Sequence, residues 1–147
     1  MKTNGRTSVK VLSDNDYRDQ ADFRYAIRRF TRFSELQARS QGITPQQYLL
    51  LLTVRGHPEY PQVSIGDVAE RLQVKHHSAS LLVERTVQKG LLARETDVND
   101  RRRALVSLTT RGQQMLDTVI RANRHELTQL EDKLFRTSLR EALKAAV

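Results

Sequence analysis

Residues 64–90 read SIGDVAERLQVKHHSASLLVERTVQKG, and the way this segment folds decides how the rest of the chain is understood. Ser64 is placed to open a helix, and Asp67 three residues later makes a capping box in which the usual Glu or Gln is replaced by a shorter acid. Ile65, Val68, Ala69 and Leu72 recur at helical spacing and form an inner face. After Gln73 and Val74 a second helix is expected from about Lys75 to Lys89, ended by Gly90 as a left-handed cap. Two short helices joined by a tight turn become a helix-turn-helix when they cross steeply, which requires a small residue at the crossing, and Ala69 is that residue. Gln73 stands where a turn glycine is common, and an ordinary helical hairpin would read the same from this segment alone.

The second helix has two dissimilar faces. At about 100° per residue, Ala79, Leu82, Val83, Thr86 and Val87 share one arc, and His77, Ser80, Leu81, Glu84, Arg85 and Gln88 share the other. Hydroxyl, imidazole, amide and guanidinium groups on one exposed arc suit base edges and phosphates in a major groove. Leu81 on that arc is either a contact for a thymine methyl or a single exposed apolar residue. Lys75, His76, His77 and Ser78 begin the helix where the positive end of its dipole attracts phosphate. Adjacent histidines point about 100° apart and have no cysteine or suitably spaced acid beside them, so no metal site is expected.

Working outward, LLARE (91–95) and ALVSL (104–108) read as two strands joined by a charged loop, Thr96 to Arg103. Such a hairpin projects beside the preceding helix. Its tip, with Arg101, Arg102 and Arg103, can reach a minor groove, where planar and weakly hydrated guanidinium groups are favoured. Asp97 and Asp100 make poor DNA contacts and are expected to accept hydrogen bonds from nearby arginines or loop amides. Without the helix pair, a merely solvated charged loop would be the better interpretation.

Ahead of the pair, Phe23, Ile27, Phe30 and Phe33 mark a long amphipathic helix over about 16–38, ended by Gly42. Thr44 and Pro45 then start a helix through Val54 whose YLLLL run (48–52) is apolar nearly all round, predicting a buried spine. Beyond the hairpin, Thr109 or Thr110 caps a last long helix with Leu116, Ile120, Leu127, Leu130 and Leu134 in a stripe, followed by a short helix over about 138–146. Lys and Arg outnumber Asp and Glu by 25 to 17, a net charge of +8 that favours a polyanionic partner. Cysteine is absent, which excludes disulfides, thiolate catalysis and thiol redox sensing. No apolar leader or membrane-spanning window is evident, so a soluble cytoplasmic protein is expected. No glycine-rich phosphate loop, nucleophile triad or paired carboxylates suggest an enzyme, and no cofactor is expected.

Taken together these segments resemble the MarR (multiple antibiotic resistance regulator) family of winged helix-turn-helix transcription factors. DVNDRRRALVSLTTRG (97–112) is similar to the family's wing motif, and SIGDVAERLQV with HHSASLLVERTVQKGLLAR is similar to its helix pair. Thr86 replaces a usual leucine, Val87 a common acid, and Val98 a frequent proline. The resemblance implies a mainly α fold with a small β-wing and long N- and C-terminal dimerisation helices, with Arg101 entering the minor groove. The expected organisation is one structural domain: an arm and dimerisation helix over 1–42, a DNA-binding lobe over 43–109, and dimerisation helices over 110–147. An obligate homodimer is implied, and Phe23, Ile27, Phe30, Leu127, Leu130, Leu134 and Leu139 have spacings suited to its helix contacts. Two subunits would present two recognition helices to a near-palindromic site in double-stranded DNA, with half-sites about 10 base pairs apart. The resemblance further implies a ligand-responsive repressor released by a small aromatic or phenolic effector, for which Tyr17, Arg18, Arg24, Tyr25 and Arg28 offer an aromatic wall and cations; solvated or intersubunit charge with aromatic packing is the plainer use of the same residues. A sequence-independent architectural DNA protein shares the charge and the helix pair, and would bind unrelated DNA nearly as well.

Overall fold

The computed structural model describes residues 9–136 and residue 146. Its elements run α1 (Asp14–Ser40), α2 (Pro45–Arg55), β1 (Val63–Ser64), α3 (Ile65–Leu72), α4 (His76–Gln88), β2 (Leu92–Thr96), β3 (Ala104–Leu108) and α5 (Thr110–Arg136). The architecture is thus mainly helical with a small antiparallel sheet. Leu139 and the short helix expected from about residue 138 lie outside the described residues, as does the side chain of Leu134. The chain divides into two compact units: residues 32–125 form one, and the remaining parts of α1 and α5 belong to the other.

Local chemistry sets the element boundaries in the larger unit. Gly42 adopts a left-handed backbone (φ +79°) after α1, as expected of a residue without Cβ strain. Thr44 caps α2 reciprocally: its hydroxyl accepts from the Gln47 amide at 3.1 Å, while its own amide donates to Gln47 Oε1 at 3.0 Å. Ser64 caps α3 in the same way, its amide donating to Asp67 Oδ2 at 3.0 Å and its Oγ accepting from the Asp67 amide at 3.1 Å. The shorter acid therefore completes a capping box, each bond satisfying a donor that the first helical turn leaves free.

Leu50, Leu51, Val54, Val63, Val68, Val83, Leu91, Leu92, Val106, Leu116 and Val119 form a buried core among α2, α3, α4, the sheet and the start of α5. α2 is less buried than its YLLLL run suggests, since Leu49 and Leu52 are 48% and 38% exposed. Gln47, Leu50, Leu51 and Val54 make the inward stripe at the spacing of one helical face, and the two outer leucines fall off it. The sheet has strand order β1-β3-β2. β1 was not evident in the sequence: two residues pair Val63 with Val106 and Ser64 with Leu105, too short a run to show alternation.

One buried polar cluster ties distant segments of this unit together. Asn123 Nδ2 donates to Ser34 Oγ at 3.1 Å and to Tyr48 Oη at 3.2 Å. Its carbonyl Oδ1 has no partner among the described residues. In the smaller unit Ala26 is buried, Phe23, Phe30 and Leu130 are half-buried, and Ile27 and Leu127 are 39% and 43% exposed.

Candidate nucleic-acid interface

The helix pair meets at Val68, Ala69, Ala79 and Val83, all buried. The turn between α3 and α4 is made by Gln73 in the left-handed region (φ 55°, ψ 45°), with its Nε2 donating to the Glu70 carbonyl at 2.7 Å. A side-chain bond thus accompanies a conformation usually left to glycine. Thr86, in place of a leucine, is fully buried, and its hydroxyl donates to the Leu82 carbonyl at 2.7 Å. Its polarity is satisfied within the helix.

α4 turns the opposite arc outward. His76, His77, Ser78, Leu81, Glu84, Arg85 and Gln88 are exposed and Ser80 is half-buried. Lys75 occupies the cap position without a side-chain hydrogen bond, so no capping group competes for the first-turn amides. A helix start of this kind attracts an anionic oxygen.

The hairpin of β2 and β3 is registered from Leu92↔Leu108 to Thr96↔Ala104. Its base is bound to the end of α4. The Thr109 hydroxyl donates to the Gly90 carbonyl at 2.7 Å and accepts from the Gly112 amide at 3.0 Å. The Thr109 amide donates to the Leu91 carbonyl at 3.2 Å. Gly112 is required by close approach, because a Cβ there would collide with the Leu91 carbonyl oxygen. The wing is therefore held in a fixed relation to α4.

At the tip, the Asp97 amide donates to the Arg103 carbonyl at 3.0 Å, and Asp97 Oδ1 accepts from the Asn99 amide at 2.9 Å. Asp100 Oδ1 accepts from the Arg102 amide at 3.0 Å. Arg103 and Arg102 lie 3.6 Å from the carboxylates of Asp97 and Asp100 respectively. Arg101 is exposed and has no side-chain partner among the described residues.

Between wing and helix pair runs a cleft lined by Gly66, His76, Ser80, Arg94, Arg102 and Arg103, with Ser64, Ile65 and Ala104 completing its wall. Arg103 lies near enough to influence Asp67. Burial works against the charge of that carboxyl, but hydrogen bonds from the Ser64 hydroxyl and amide, helped by His57 and Arg103, hold it below the usual carboxylate range. Arg94 and Gly66 were not singled out from the sequence. The available signal for Arg94 was its position two residues after Leu92, which puts a cation on the strand face that begins in the core and leaves it toward the loop.

The α1 residues considered for an effector are placed differently. Tyr17, Arg18, Tyr25 and Arg28 are all exposed, and none lines the small cavity of that unit formed by Ala26, Arg29, Phe30, Glu126, Gln129 and Leu130. No helix among the described residues is long and apolar enough to cross a membrane.

Comparison with known proteins agrees with this geometry. Residues 41–103 match the model of a family described as the MarR family. The chain is 34% identical over 80 residues to the HTH-type transcriptional repressor MdtR of Bacillus subtilis (strain 168), covering 54% of this chain and 50% of that protein. It spans only about half the length of the curated relatives it matches. Among solved structures, AbsC, a MarR family transcriptional regulator from Streptomyces coelicolor, superposes with a TM-score of 0.73 at 20% identity, covering 94% of this chain and 93% of that one. A Staphylococcus aureus MepR mutant bound to oligodeoxyribonucleotide superposes with a TM-score of 0.63 at 21% identity, covering 87% and 97%. At these identities the two structures share the fold.

Proposed function

On the match of residues 41–103 to the MarR family model, we propose that the chain is a sequence-specific double-stranded DNA-binding transcriptional regulator that acts as a homodimer on a near-palindromic operator. The observation that carries this is the pairing of α4 with the wing. An outward arc of His77, Leu81, Arg85 and Gln88 and an uncapped helix start lie beside a hairpin whose acids restrain two arginines and leave Arg101 without a side-chain partner among the described residues. In that arrangement α4 reads base edges in the major groove, its first turn and the Lys75–Ser78 segment hold phosphate, and Arg101 enters the adjacent minor groove. Arg94 and His76 in the cleft add further phosphate contacts. Repression, with release by a small aromatic or phenolic compound, is the expected mode of control; the named repressor among the relatives supports its first half.

The dimer is supported by the apolar residues that their own chain leaves open, Ile27 and Leu127 with half-buried Phe23, Phe30 and Leu130. Sedimentation of Leu130→Asp tests it: the variant should be monomeric, and an intact dimer would place the interface elsewhere. For function, fluorescence anisotropy should compare DNA from upstream of the gene with a shuffled duplex over a salt series. A strong preference for the native fragment, weakening steeply with salt, is expected. Equal binding to both duplexes would favour a sequence-independent architectural protein, and no binding would overturn the DNA-binding role.

A further inference from the structure

The amino-terminal half of α1 carries arginines that pair with no acid among the described residues. Successive helical residues are about 100° apart, so Tyr17, Arg18, Arg24, Tyr25, Arg28 and Arg29 fall within an arc of about 140°, while Phe23, Ala26, Ile27 and Phe30 take the other side. All six are exposed, the two tyrosines by 62% and 60%. Arg29 stacks over the Tyr25 ring, with 6.0 Å to its centroid. Arg18, Arg24 and Arg28 have no ion pair or hydrogen bond from their side chains among the described residues.

A solvated helical face usually relieves such charge with acids at i±4 spacing. Here Arg24 and Arg28 sit one turn apart with like charge, an arrangement that opposes the helix by a few tenths of a kcal/mol. Asp14 lies within the arc and Asp22 at its border, one turn to either side of Arg18, but neither pairs with it among the described residues, and Asp16 is engaged by the amide and hydroxyl of Ser13. Arg24 and Arg28 have no acid at i±4 spacing, and with Tyr17 and Tyr25 beside them on the same arc they complement an external polyanion.

We propose that this face is a second DNA contact, which binds the phosphate backbone of duplex lying beyond the operator half-sites. The proposal rests on the DNA-binding role above, and that role also selects the partner. Once α4 and the wing hold an operator, flanking duplex is tethered to the protein at a high effective concentration, so even a weak set of phosphate contacts forms. A free acidic peptide has no such tether. Arg18 to Arg29 span about 16 Å along the helix, enough for about five phosphates of one strand. Contacts of this kind carry no base information and extend the footprint without changing which operator is chosen.

The test uses the full-length protein and two duplexes sharing one operator, one ending at its edges and one extending several helical turns beyond each edge, titrated over a salt series. The wild type should bind the long duplex more tightly and with a steeper salt dependence. Arg24→Gln/Arg28→Gln should bind the short duplex as wild type does but lose about tenfold on the long one, with the salt slope lowered by about one unit per lost contact. If the variant keeps the full advantage on the long duplex, or loses affinity equally on both, the second contact is overturned while operator binding stands. A variant that changes oligomeric state in sedimentation would assign the face to a second copy of this chain and overturn it too. Failure of the wild type to bind either duplex would overturn it together with the DNA-binding role.

Discussion

The wing tip and the outer face of α1 both expose arginine, but they are built on opposite plans. In the wing, Asp97 and Asp100 bind loop amides and stand 3.6 Å from Arg103 and Arg102. Two cations are thereby used to stiffen the loop, and Arg101 is presented alone on a backbone that has already lost its freedom. On α1 no acid among the described residues pairs with Arg18, Arg24 or Arg28. A restrained guanidinium suits insertion at one place in a groove, because less entropy is lost when it binds. An unrestrained row suits the repeating phosphates of any duplex. On the proposed roles, geometry rather than charge separates recognition from retention within one basic chain.

The largest effect on this contrast should come from Gly112→Ala. The new Cβ meets the Leu91 backbone oxygen, and neither side is a flexible side chain. The strain should lower stability by about 2–3 kcal/mol, read as a shift of the urea midpoint, and detach the wing's base from α4. A wild-type midpoint would show that the wing's anchor tolerates displacement. Next comes Arg101→Ala, expected to weaken operator binding by about 10- to 100-fold on short and long duplexes alike, with the thermal transition unchanged. Loss confined to the long duplex would make Arg101 another phosphate contact like those proposed for α1, and the contrast would collapse. Asp97→Ala is smaller. It frees Arg103 and removes the acceptor for the Asn99 amide, so operator affinity should fall by about 1 kcal/mol through a slower association or a looser complex, although the substitution makes the protein more positive. Tighter binding would mean that bulk charge outweighs restraint at the tip.

Which of these features the sequence discloses depends on how far apart the cooperating residues lie. Caps and stops act over three or four positions, and Thr44 with Pro45, Ser64 with Asp67, Gly42 and Gly90 all mark their boundaries from type and spacing alone. The two-faced α4 follows from periodicity, and Ala79, Val83 and Thr86 are fully buried as its inner arc requires. β1 escapes because Val63 and Ser64 are a strand only by virtue of β3 beside them. Leu49 and Leu52 mislead because a run of leucines hides which face the neighbours cover. Asn123 joins Ser34 and Tyr48 across separations of 89 and 75 residues, and no local pattern encodes that meeting. Arg94 reaches the cleft only through hairpin register. The free state of Arg101 is intermediate: the charges are visible in DVNDRRR, but which acid takes which arginine is settled by loop geometry.

Gln73→Gly is the smallest of the expected effects and the one that most finely tests how the α3–α4 turn is held. At φ 55° a residue with a Cβ is strained by about 1 kcal/mol relative to glycine. Glycine would relieve that strain, but would lose the bond from Gln73 Nε2 to the Glu70 carbonyl and add freedom to the unfolded chain. Relief of strain exceeds the net worth of one exposed hydrogen bond only slightly, so stability should rise by no more than about 0.5 kcal/mol, measured from urea unfolding. Affinity for short and long duplexes should stay as in the wild type, since neither the wing tip nor the α1 face is touched. A fall in stability would mean that the glutamine side chain, and not the backbone's tolerance, holds the turn. A fall in operator affinity at unchanged stability would show that α4 depends on this turn for its angle to DNA, extending the restrained plan of the wing to the whole helix pair.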